Sequence, residues 1–260
     1  MKSAIFITVR MKSTRLPDKA LLDIKGKPAI GHLIDYLKLA RSTNLIVLCT
    51  STHPDDAVLA DIARDNSIEC FRGSEDDKLD RYLNAAKKYG VDFMIITHGD
   101  SVIYDPQIID AVSRLYRKTG ADYIACRGLP IGTAPHGLKL SALETVCRIK
   151  AETDTEVWEG YFTDSGRFKV DYLEADEGLR HPEMRMTLDY PEDYEFFRAV
   201  FNRLHSPGKA FTLREAVSLL LANPELMEIN GDAQVAYMKH LKKSAPVRFK
   251  DLPDAGRENF

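Results

Sequence analysis

The sequence lacks several features that mark whole classes of protein. Its 260 residues contain four cysteines without a CxxC pair: Cys49, Cys70, Cys126 and Cys147. This spacing argues against a disulfide framework and against a zinc site, and it favours reduced thiols. No apolar run is long enough to span a bilayer or to form the core of a signal peptide. We therefore expect a cytoplasmic protein without membrane partners.

The chain also lacks a strong net charge. Its 36 basic and 39 acidic residues give a formal charge of -3, which does not indicate nucleic-acid binding. Basic side chains are instead concentrated in the stretch RMKSTRLPDK, which contains Arg10, Lys12, Arg15 and Lys19. A turn after a strand does not need this many cations, so the stretch predicts an anionic ligand.

This cationic stretch contains no glycine, so it matches neither the P-loop nor the dinucleotide-binding fingerprint. We expect phosphate groups to be held here by side chains rather than by a backbone cradle. The sequence also has no GxSxG elbow and no isolated Cys/His pair. Both absences are consistent with a reaction that needs no nucleophilic side chain.

Apolar runs alternate with segments of helical period along most of the chain. Buried strands are predicted at SAIFITV, NLIVLCT and DFMIITHGD, and helices at residues 30–41, 54–66, 77–90 and 105–120. This alternation predicts an α/β fold in three layers, with a mostly parallel sheet between two layers of helices. Asp105 is predicted to cap the last of these helices, and Gly120 to end it.

The pattern changes between residues 121 and 183. Here GRFKVDYLEA predicts an antiparallel strand and AETDTEVWEGYF a helix, which we interpret as a small inserted α+β lobe. After the lobe, MRMTLD predicts a strand, Pro191 begins a helix, and TLREAVSLLLANPELMEIN predicts a helix with an extended end. We expect a single domain over residues 1–242 and a polar tail over residues 243–260.

Three features fall at predicted carboxyl ends of strands, where an open α/β sheet binds its ligands. The cationic stretch follows the first strand, Asp100 ends DFMIITHGD, and Asp189 ends MRMTLD. Taken singly, the stretch has an ordinary explanation as a solvated turn, and each aspartate as a helix cap. Taken together, they predict Mg²⁺ bound with a triphosphate, because Mg²⁺ uses few protein carboxylates while Arg and Lys neutralise phosphate charge.

The stretch FRGSEDDKLDRY has two interpretations. Ser74 and Asp77 resemble a capping box for the helix that follows. Because the stretch also follows a predicted strand end, Ser74, Asp77 and Arg81 are equally candidates for contact with a nucleotide. His98 lies two residues before Asp100, and we interpret it as a supporting residue in preference to a catalytic base.

Four motifs resemble one family. RMKSTRLPDKALLDIKGKP resembles the opening of the cytidylyltransferases that activate sugar acids, the 3-deoxy-manno-octulosonate and acylneuraminate cytidylyltransferases, and most of all their spore-coat polysaccharide branch. GSEDDKLDRY, HGD before a DP helix start, and TLDYPEDYEF resemble later motifs of that branch. The resemblance runs from about residue 3 to residue 230. It implies a Rossmann-like nucleotidyltransferase fold, CTP as donor, Mg²⁺ as cofactor, and a homodimer.

The resemblance also implies roles for individual residues. Contacts with the triphosphate are implied for Arg10, Ser13, Arg15 and Lys19. Metal binding is implied for Asp100 and Asp189, and a place near the nucleotide for Ser74, Asp77 and Arg81.

The sequence departs from the family pattern in three places. Asp18 stands where the family has glycine, which adds a negative charge to the phosphate loop. GDSVI replaces the usual GDCPL, so that Ser101 and Val102 differ, and DTEVWEGYF replaces a DREH-like segment. The last departure lies in the inserted lobe, where the acceptor is expected to bind.

The leading hypothesis is transfer of CMP from CTP to an anionic sugar, such as a sugar acid, for cell-surface polysaccharide biosynthesis. The expected catalytic residues are Arg10, Arg15, Lys19, Asp100 and Asp189. An acceptor oxygen would attack the α-phosphorus in line and pyrophosphate would leave. In the lobe, His136 and Lys139 are expected to bind the acceptor, with Arg127 adding positive charge.

Several alternatives stay open. The acceptor of a cytidylyltransferase is alternatively a sugar phosphate or a phosphonate. A glycosyltransferase is a rival, although HGDSVIYD offers only Asp100 and the distant Asp105 in place of a DxD pair. A non-catalytic nucleotide-binding regulator is another. Trp158, with Tyr161 and Phe162 close behind it, is predicted to pack in the lobe core or at a homodimer contact.

Overall fold

The structure is a computed structural model, and it describes residues 1–206, 209–241 and 247–250. Its strands are β1 (Ser3–Thr8), β2 (Asp23–Ile24), β3 (Lys27–Pro28), β4 (Ile46–Ser51), β5 (Glu69–Gly73), β6 (Phe93–His98), β7 (Tyr123–Arg127), β8 (His136–Lys139) and β9 (Val170–Glu174). β2 pairs with β3, and the others form one sheet in the order β5-β4-β1-β6-β8-β7-β9. All pairings in this sheet are parallel except those of β8, so the predicted mostly parallel sheet is confirmed.

Helices cover both faces of the sheet. They are α1 (Ala29–Leu37), α2 (Ala57–Asp65), α3 (Lys78–Tyr89), α4 (Pro106–Thr119), α5 (Leu140–Ile149), α6 (Gly160–Thr163), α7 (Pro191–Leu204), α8 (Leu213–Ala222), α9 (Glu225–Glu228) and α10 (Gly231–Leu241). In β1, Ile5 and Ile7 pack in one buried cluster, whereas Phe6 packs in another. This alternation places the central strand between two cores, which is the predicted three-layer arrangement.

Local signals placed the helix ends well. In α4, the side chain of Asp105 accepts a hydrogen bond from the backbone N–H of Gln107 at 2.8 Å, and Gly120 ends the helix with a φ of 64°. Pro191 begins α7 as predicted. The other predicted helices are present, with α1 ending at Leu37 instead of at residue 41.

The stretch expected as an inserted lobe contributes β7, β8 and β9 to one edge of the central sheet. Two predictions within it are wrong. GRFKVDYLEA contains β9, which is parallel to β7 rather than antiparallel. AETDTEVWEGYF is mostly irregular, with only α6 near its end, because Thr155 and the preceding Lys150 bond to Asp77 at the start of α3.

Two later predictions also need correction. MRMTLD is extended but joins no sheet; it makes one bridge, between Ile131 and Arg185. The end of TLREAVSLLLANPELMEIN contains α9 instead of an extended segment. Of the predicted tail, only residues 247–250 are described, and Phe249 there bridges to Lys150. Among the described residues, none of the helices combines the length and apolarity that a membrane crossing requires.

Candidate active site

A narrow cleft of about 80 Å³ opens at the carboxyl ends of β1 and β6. These strands are neighbours, and their last residues, Thr8 and His98, are paired. The chain after β6 passes very close to the chain after β1, because a Cβ atom at Gly99 would lie only 2.5 Å from the Cβ of Val9. The cationic stretch therefore begins beside the loop that carries Asp100.

Lys19 lies between the two predicted metal ligands. Its Nζ is 2.8 Å from Asp189 Oδ1 and 3.3 Å from Asp100 Oδ2. Arg15 adds a second cation, with Nη2 at 3.2 Å from the same oxygen of Asp189. The structure thus brings together four of the five predicted catalytic residues, although Asp100 and Asp189 are far apart in sequence.

The electrostatics of this group favour full ionisation. Burial would lower the pKa of Lys19, but Asp100 and Asp189 outweigh it, so the pKa is raised above its ordinary value. Burial would also raise the pKa of Asp100, but Lys19, His98 and Lys78 outweigh it, so that pKa is lowered. The ammonium and the Asp100 carboxylate are therefore both charged at neutral pH.

A backbone contact holds Asp189 in this position. The N–H of Leu188 donates to the backbone carbonyl of Asp100 at 2.6 Å, and the N–H of Met186 donates to the carbonyl of Ile131 at 2.8 Å. Gly132 must be glycine here, since its φ is 92° and a Cβ would lie 2.6 Å from the carbonyl oxygen of Met186. These contacts fasten the segment before α7 across the end of the sheet.

Sequence reasoning missed a buried ion pair behind Asp189. The guanidinium of Arg185 bonds both carboxylate oxygens of Asp193 at 2.8 Å and lies 3.6 Å from Asp189 Oδ2. Asp193 also accepts hydrogen bonds from the backbone N–H groups of Asp189 and Tyr190. Asp193 is the third residue of α7, where an acidic side chain can cap the helix, and this position was the signal in the sequence that could have identified it. The pair fixes the backbone that carries Asp189.

The residues of this centre fit Mg²⁺. Two carboxylates face one point, and the ammonium of Lys19 at that point shows that the position favours positive charge. Two carboxylate oxygens, with the remaining positions left to phosphate oxygens and water, match what Mg²⁺ binds. The metal role of Asp100 and Asp189 stays a prediction.

The mouth of the cleft holds further cations. Arg10 donates to Glu156 Oε2 at 3.2 Å and to the carbonyl of Glu75 at 2.6 Å. Lys78 Nζ, which sequence reasoning did not select, lies 3.1 Å from the same oxygen of Glu156. One carboxylate therefore pairs with two cations, which leaves net positive charge where a triphosphate is predicted to bind.

The rest of the cationic stretch is organised around a strained turn. Asp18, the departure from the family glycine, has a φ of 52°, in the left-handed region that glycine adopts most easily. Its carbonyl accepts a hydrogen bond from Leu21, which starts the turn bearing Lys19. The hydroxyl of Ser13 accepts from the N–H of Leu16 at 3.3 Å. Lys12 is exposed and pairs with Glu75.

The structure supports helix capping by FRGSEDDKLDRY but not the predicted Ser74–Asp77 capping box, because α3 begins at Lys78 and Asp77 is its N-cap. Asp77 caps α3 by accepting from the N–H of Asp80, and Ser74 accepts from the N–H of Asp77. Arg81 is fully buried and donates to the carbonyl of Ser74 and to Thr8 Oγ1. Arg81 lines the cleft as well, so its nucleotide contact stays a prediction, whereas Asp77 is buried and already paired with Lys150.

A second pocket of about 220 Å³ adjoins the cleft and shares His98 and Asp100 with it. His136 lines this pocket because β8 begins at the carboxyl edge of the sheet, opposite Ile96. Lys139, the other residue predicted to bind the acceptor, does not line this pocket. Since β8 is antiparallel, Lys139 lies opposite Phe93 at the other edge, where it bonds Asp122.

Aromatic residues surround His136. Trp158, Tyr161 and Phe162 are buried within this chain, which confirms core packing for them. The ring of Trp158 lies 5.4 Å from that of His136. Burial lowers the pKa of His136 to about 4, despite the opposing charge of Glu159. Arg127 stacks on Tyr172 and does not line the pocket among the described residues.

Comparisons with known proteins identify the family and support the fold. The family model for cytidylyltransferases matches residues 4–216. The chain is 27% identical to the spore coat polysaccharide biosynthesis protein SpsF of Bacillus subtilis, over 86% of this chain and 97% of that protein. A solved cytidylyltransferase from Leptospira borgpetersenii superposes with a TM-score of 0.80 at 27% identity, over 87% of this chain and 97% of that one.

A shorter similarity concerns the sugar-acid enzymes. The chain is 34% identical to the 3-deoxy-manno-octulosonate cytidylyltransferase of Chloroherpeton thalassium, but over only 43% of this chain and 44% of that protein. The match to the family model covers most of the chain and includes the cationic stretch, Asp100 and Asp189. The protein is therefore a nucleotidyltransferase that belongs to the cytidylyltransferase family.

Proposed function

We propose that the protein transfers CMP from CTP to an anionic sugar, such as a sugar acid, in cell-surface polysaccharide biosynthesis. The observation that carries this proposal is the position of Lys19 between Asp100 and Asp189, beside Arg15, at the ligand edge of the sheet. A relative named for spore coat polysaccharide biosynthesis and another named for octulosonate cytidylyl transfer support the acceptor class.

The chain's own residues supply positioning and charge. An acceptor oxygen bonds to the α-phosphorus of CTP, the bond from that phosphorus to the bridging oxygen breaks, and pyrophosphate leaves; the acceptor proton passes to water. Lys19 and Arg15 would neutralise the leaving pyrophosphate, and Arg10 with Lys78 would hold the outer phosphates. Mg²⁺ held by Asp100 and Asp189 would add charge stabilisation at the phosphates.

The second pocket supports a sugar acid over a sugar phosphate or phosphonate. The described residues that line it offer hydroxyl, imidazole and carboxylate groups, for example Ser101, Thr187 and Glu159, and include no Lys or Arg. Hydroxyl-rich ligands suit such a lining, whereas a phosphate dianion would need cationic donors. A single carboxylate is the largest negative charge that we expect this pocket to accept.

A pyrophosphate-release screen tests the proposal. CTP, UTP, ATP and GTP are each combined with sugar acids, sugar phosphates, phosphonates and neutral sugars, with and without Mg²⁺. We expect release only with CTP, Mg²⁺ and a sugar acid. The matched pair of variants is Asp100→Asn, which should be inactive, and Asp61→Asn at an exposed position, which should be active.

Each other outcome of the screen points elsewhere. Release with UTP would refute the donor, and release with a neutral sugar alone would refute the acceptor. Free CMP or CDP formed from a nucleotide sugar would indicate a glycosyltransferase. If no combination releases pyrophosphate but calorimetry still detects CTP binding, the result would favour a regulator.

A homodimer and a cytoplasmic location are further parts of this proposal. Because Trp158, Tyr161 and Phe162 are buried within one chain, a contact through residues 121–183 would have to use other groups. The edge strand β9, with its exposed Tyr172, offers a surface for a twofold contact. Light scattering at micromolar concentration should give twice the mass of the chain, and a strict monomer would contradict the dimer.

A further inference from the structure

Three side chains in the second pocket converge on one point. His98 ends β6, His136 begins the neighbouring β8, and Glu159 directly precedes α6. One potential ligand atom from each lies within 4.8 Å of the other two. His136 Nε2 lies 4.0 Å from Glu159 Oε1. Neither the CTP cleft nor the aspartate pair uses His136 or Glu159.

The protein holds the other polar atoms of this group. The Nδ1 atom of His136 lies 2.6 Å from the hydroxyl of Tyr123, which leaves Nε2 directed toward Glu159. The Oε2 atom of Glu159 accepts from the backbone N–H of Trp158 at 3.2 Å, which leaves Oε1 available. Such outer hydrogen bonds orient ligands in known metal sites, where one ring nitrogen is fixed and the other binds the ion.

We propose that His98, His136 and Glu159 bind a divalent first-row transition metal ion, with Zn²⁺ as the best match. Two imidazole nitrogens and one carboxylate are a ligand set that Zn²⁺ takes with its fourth position open. Ligand atoms on tetrahedral Zn²⁺ are about 3.3 Å apart, so the three side chains need to move by roughly 1 Å. Glu159, about a third exposed on its side chain, is free to make that movement.

This site is chemically distinct from the aspartate pair. Mg²⁺ prefers oxygen ligands, which Asp100 and Asp189 provide, whereas imidazole nitrogens favour Zn²⁺ and its neighbours. These three ligands include no cysteine, whereas the prediction against a zinc site was based on the cysteine spacing. His98 and Asp100 are two residues apart, so the end of β6 and the residues just after it would supply one ligand to each of the two ions.

The site has a use that rests on the proposed function. The described lining of the second pocket has no Lys or Arg, although the proposed acceptor carries a carboxylate. A divalent ion held by two neutral imidazoles and the Glu159 carboxylate would leave one net positive charge, which matches a single acceptor carboxylate but not a phosphate dianion, and its open position would take an acceptor oxygen. Metal binding itself requires neither CTP nor an acceptor, so it can be measured separately from transfer.

Trp158 offers a local readout, because it is the only tryptophan of the chain and its ring is 5.4 Å from that of His136. Metal-free protein is titrated with Co²⁺, which quenches nearby tryptophan fluorescence, in the absence of CTP. We expect saturable quenching, reversal by Zn²⁺ but not by millimolar Mg²⁺, and a loss of affinity of at least tenfold in Glu159→Gln. Tyr123→Phe should weaken Co²⁺ binding by about tenfold to a hundredfold.

Two controls make the result specific. His181 pairs with Glu183 on the surface, so His181→Asn removes a comparable histidine outside the group and should leave quenching unchanged. Circular dichroism of Glu159→Gln, a change at a partly exposed residue, checks that the variant is folded. The site would be refuted if Co²⁺ quenches Glu159→Gln as it quenches the wild type, or if Asp100→Asn is the only variant that loses quenching.

The outcomes separate this proposal from the proposed function. Quenching that depends on Glu159, together with no pyrophosphate release, would retain the metal site and refute the transfer. Pyrophosphate release with Mg²⁺ alone, together with no quenching by Co²⁺, would retain the transfer and refute the metal site.

Discussion

Replacing Lys19 with Met tests the central electrostatic argument. The side chain of Lys19 is 13% exposed, and that of Asp189 is 6% exposed, so removal of the ammonium leaves two carboxylates facing each other with little water. Breaking a buried ion pair costs about 3–5 kcal/mol. The partial exposure of Asp100 reduces this, and we expect the free energy of unfolding to fall by about 2–4 kcal/mol. Urea denaturation at pH 7 measures the change.

The pH dependence of Lys19→Met has a defined sign. In the wild type, the pKa of Lys19 is raised above 10.5 and that of Asp100 is lowered below 3.8. The ion pair's contribution to the free energy of unfolding is therefore complete between these two pH values. It is lost as pH falls through the pKa of Asp100 or rises through that of Lys19. The difference between wild type and variant should be constant from about pH 5 to pH 9 and shrink in acid.

Ligand binding gives a second measure of the same variant. We expect Lys19→Met to weaken CTP binding about tenfold to a hundredfold, and CMP binding much less, because the lost contact is to the outer phosphates. Lys27→Met removes an exposed ion pair with Asp35 and should change stability by only about 0–1 kcal/mol. A stability loss in Lys19→Met no larger than that of Lys27→Met, or equal losses for CTP and CMP, would refute the reasoning.

Four further variants test other parts of the site. Asp100→Asn should abolish Mg²⁺-dependent pyrophosphate release and lower the melting temperature little. Asp189→Asn should lower both the pyrophosphate release and the melting temperature, because its position is only 4% exposed. Wild-type activity in either variant would remove the metal assignment. Asp18→Gly should stabilise the protein by about 1 kcal/mol, because glycine adopts the left-handed φ more easily, and a lower melting temperature would contradict this. Glu156→Gln should tighten CTP binding in calorimetry by freeing Arg10, and weaker binding would show that Glu156 organises the cleft instead.

The parts of the fold that were predictable depend on local signals. The apolar runs of β1, β4 and β6 identify buried strands without any knowledge of their neighbours. Asp105 and Gly120 mark the ends of α4 by chemistry that acts within a few residues. Position after a strand was also enough to select Asp100, because the parallel sheet determines where strand ends meet.

The parts that were not predictable depend on long-range contacts. His136 and Lys139 are only three residues apart in sequence, but they lie at opposite ends of β8, and the antiparallel direction of β8 is what places His136 rather than Lys139 beside the carboxyl end of β6. Lys78 and Glu156 lie on segments far apart in the chain and meet only in the folded cleft. Arg185 pairs with Asp193 in the interior, and a charged pair of this kind leaves no periodic pattern in the sequence.

The single reversed strand has a consequence for how such a protein can diversify. Because β8 runs against β7, residues 128–135 form a hairpin connection at the ligand edge, and Ile131, Gly132 and Ala134 in it line the second pocket. The parallel strands β1 and β6, which carry the phosphate cleft, are connected elsewhere. A change in this hairpin that keeps Gly132 and the hydrogen bond between Ile131 and Met186, which hold Asp189, would therefore reshape the proposed acceptor pocket while leaving the predicted phosphate and metal centre in place. Exchange of residues 133–135 between family members, with Ile131 and Gly132 retained, is accordingly a route to new acceptor specificity on a constant donor site.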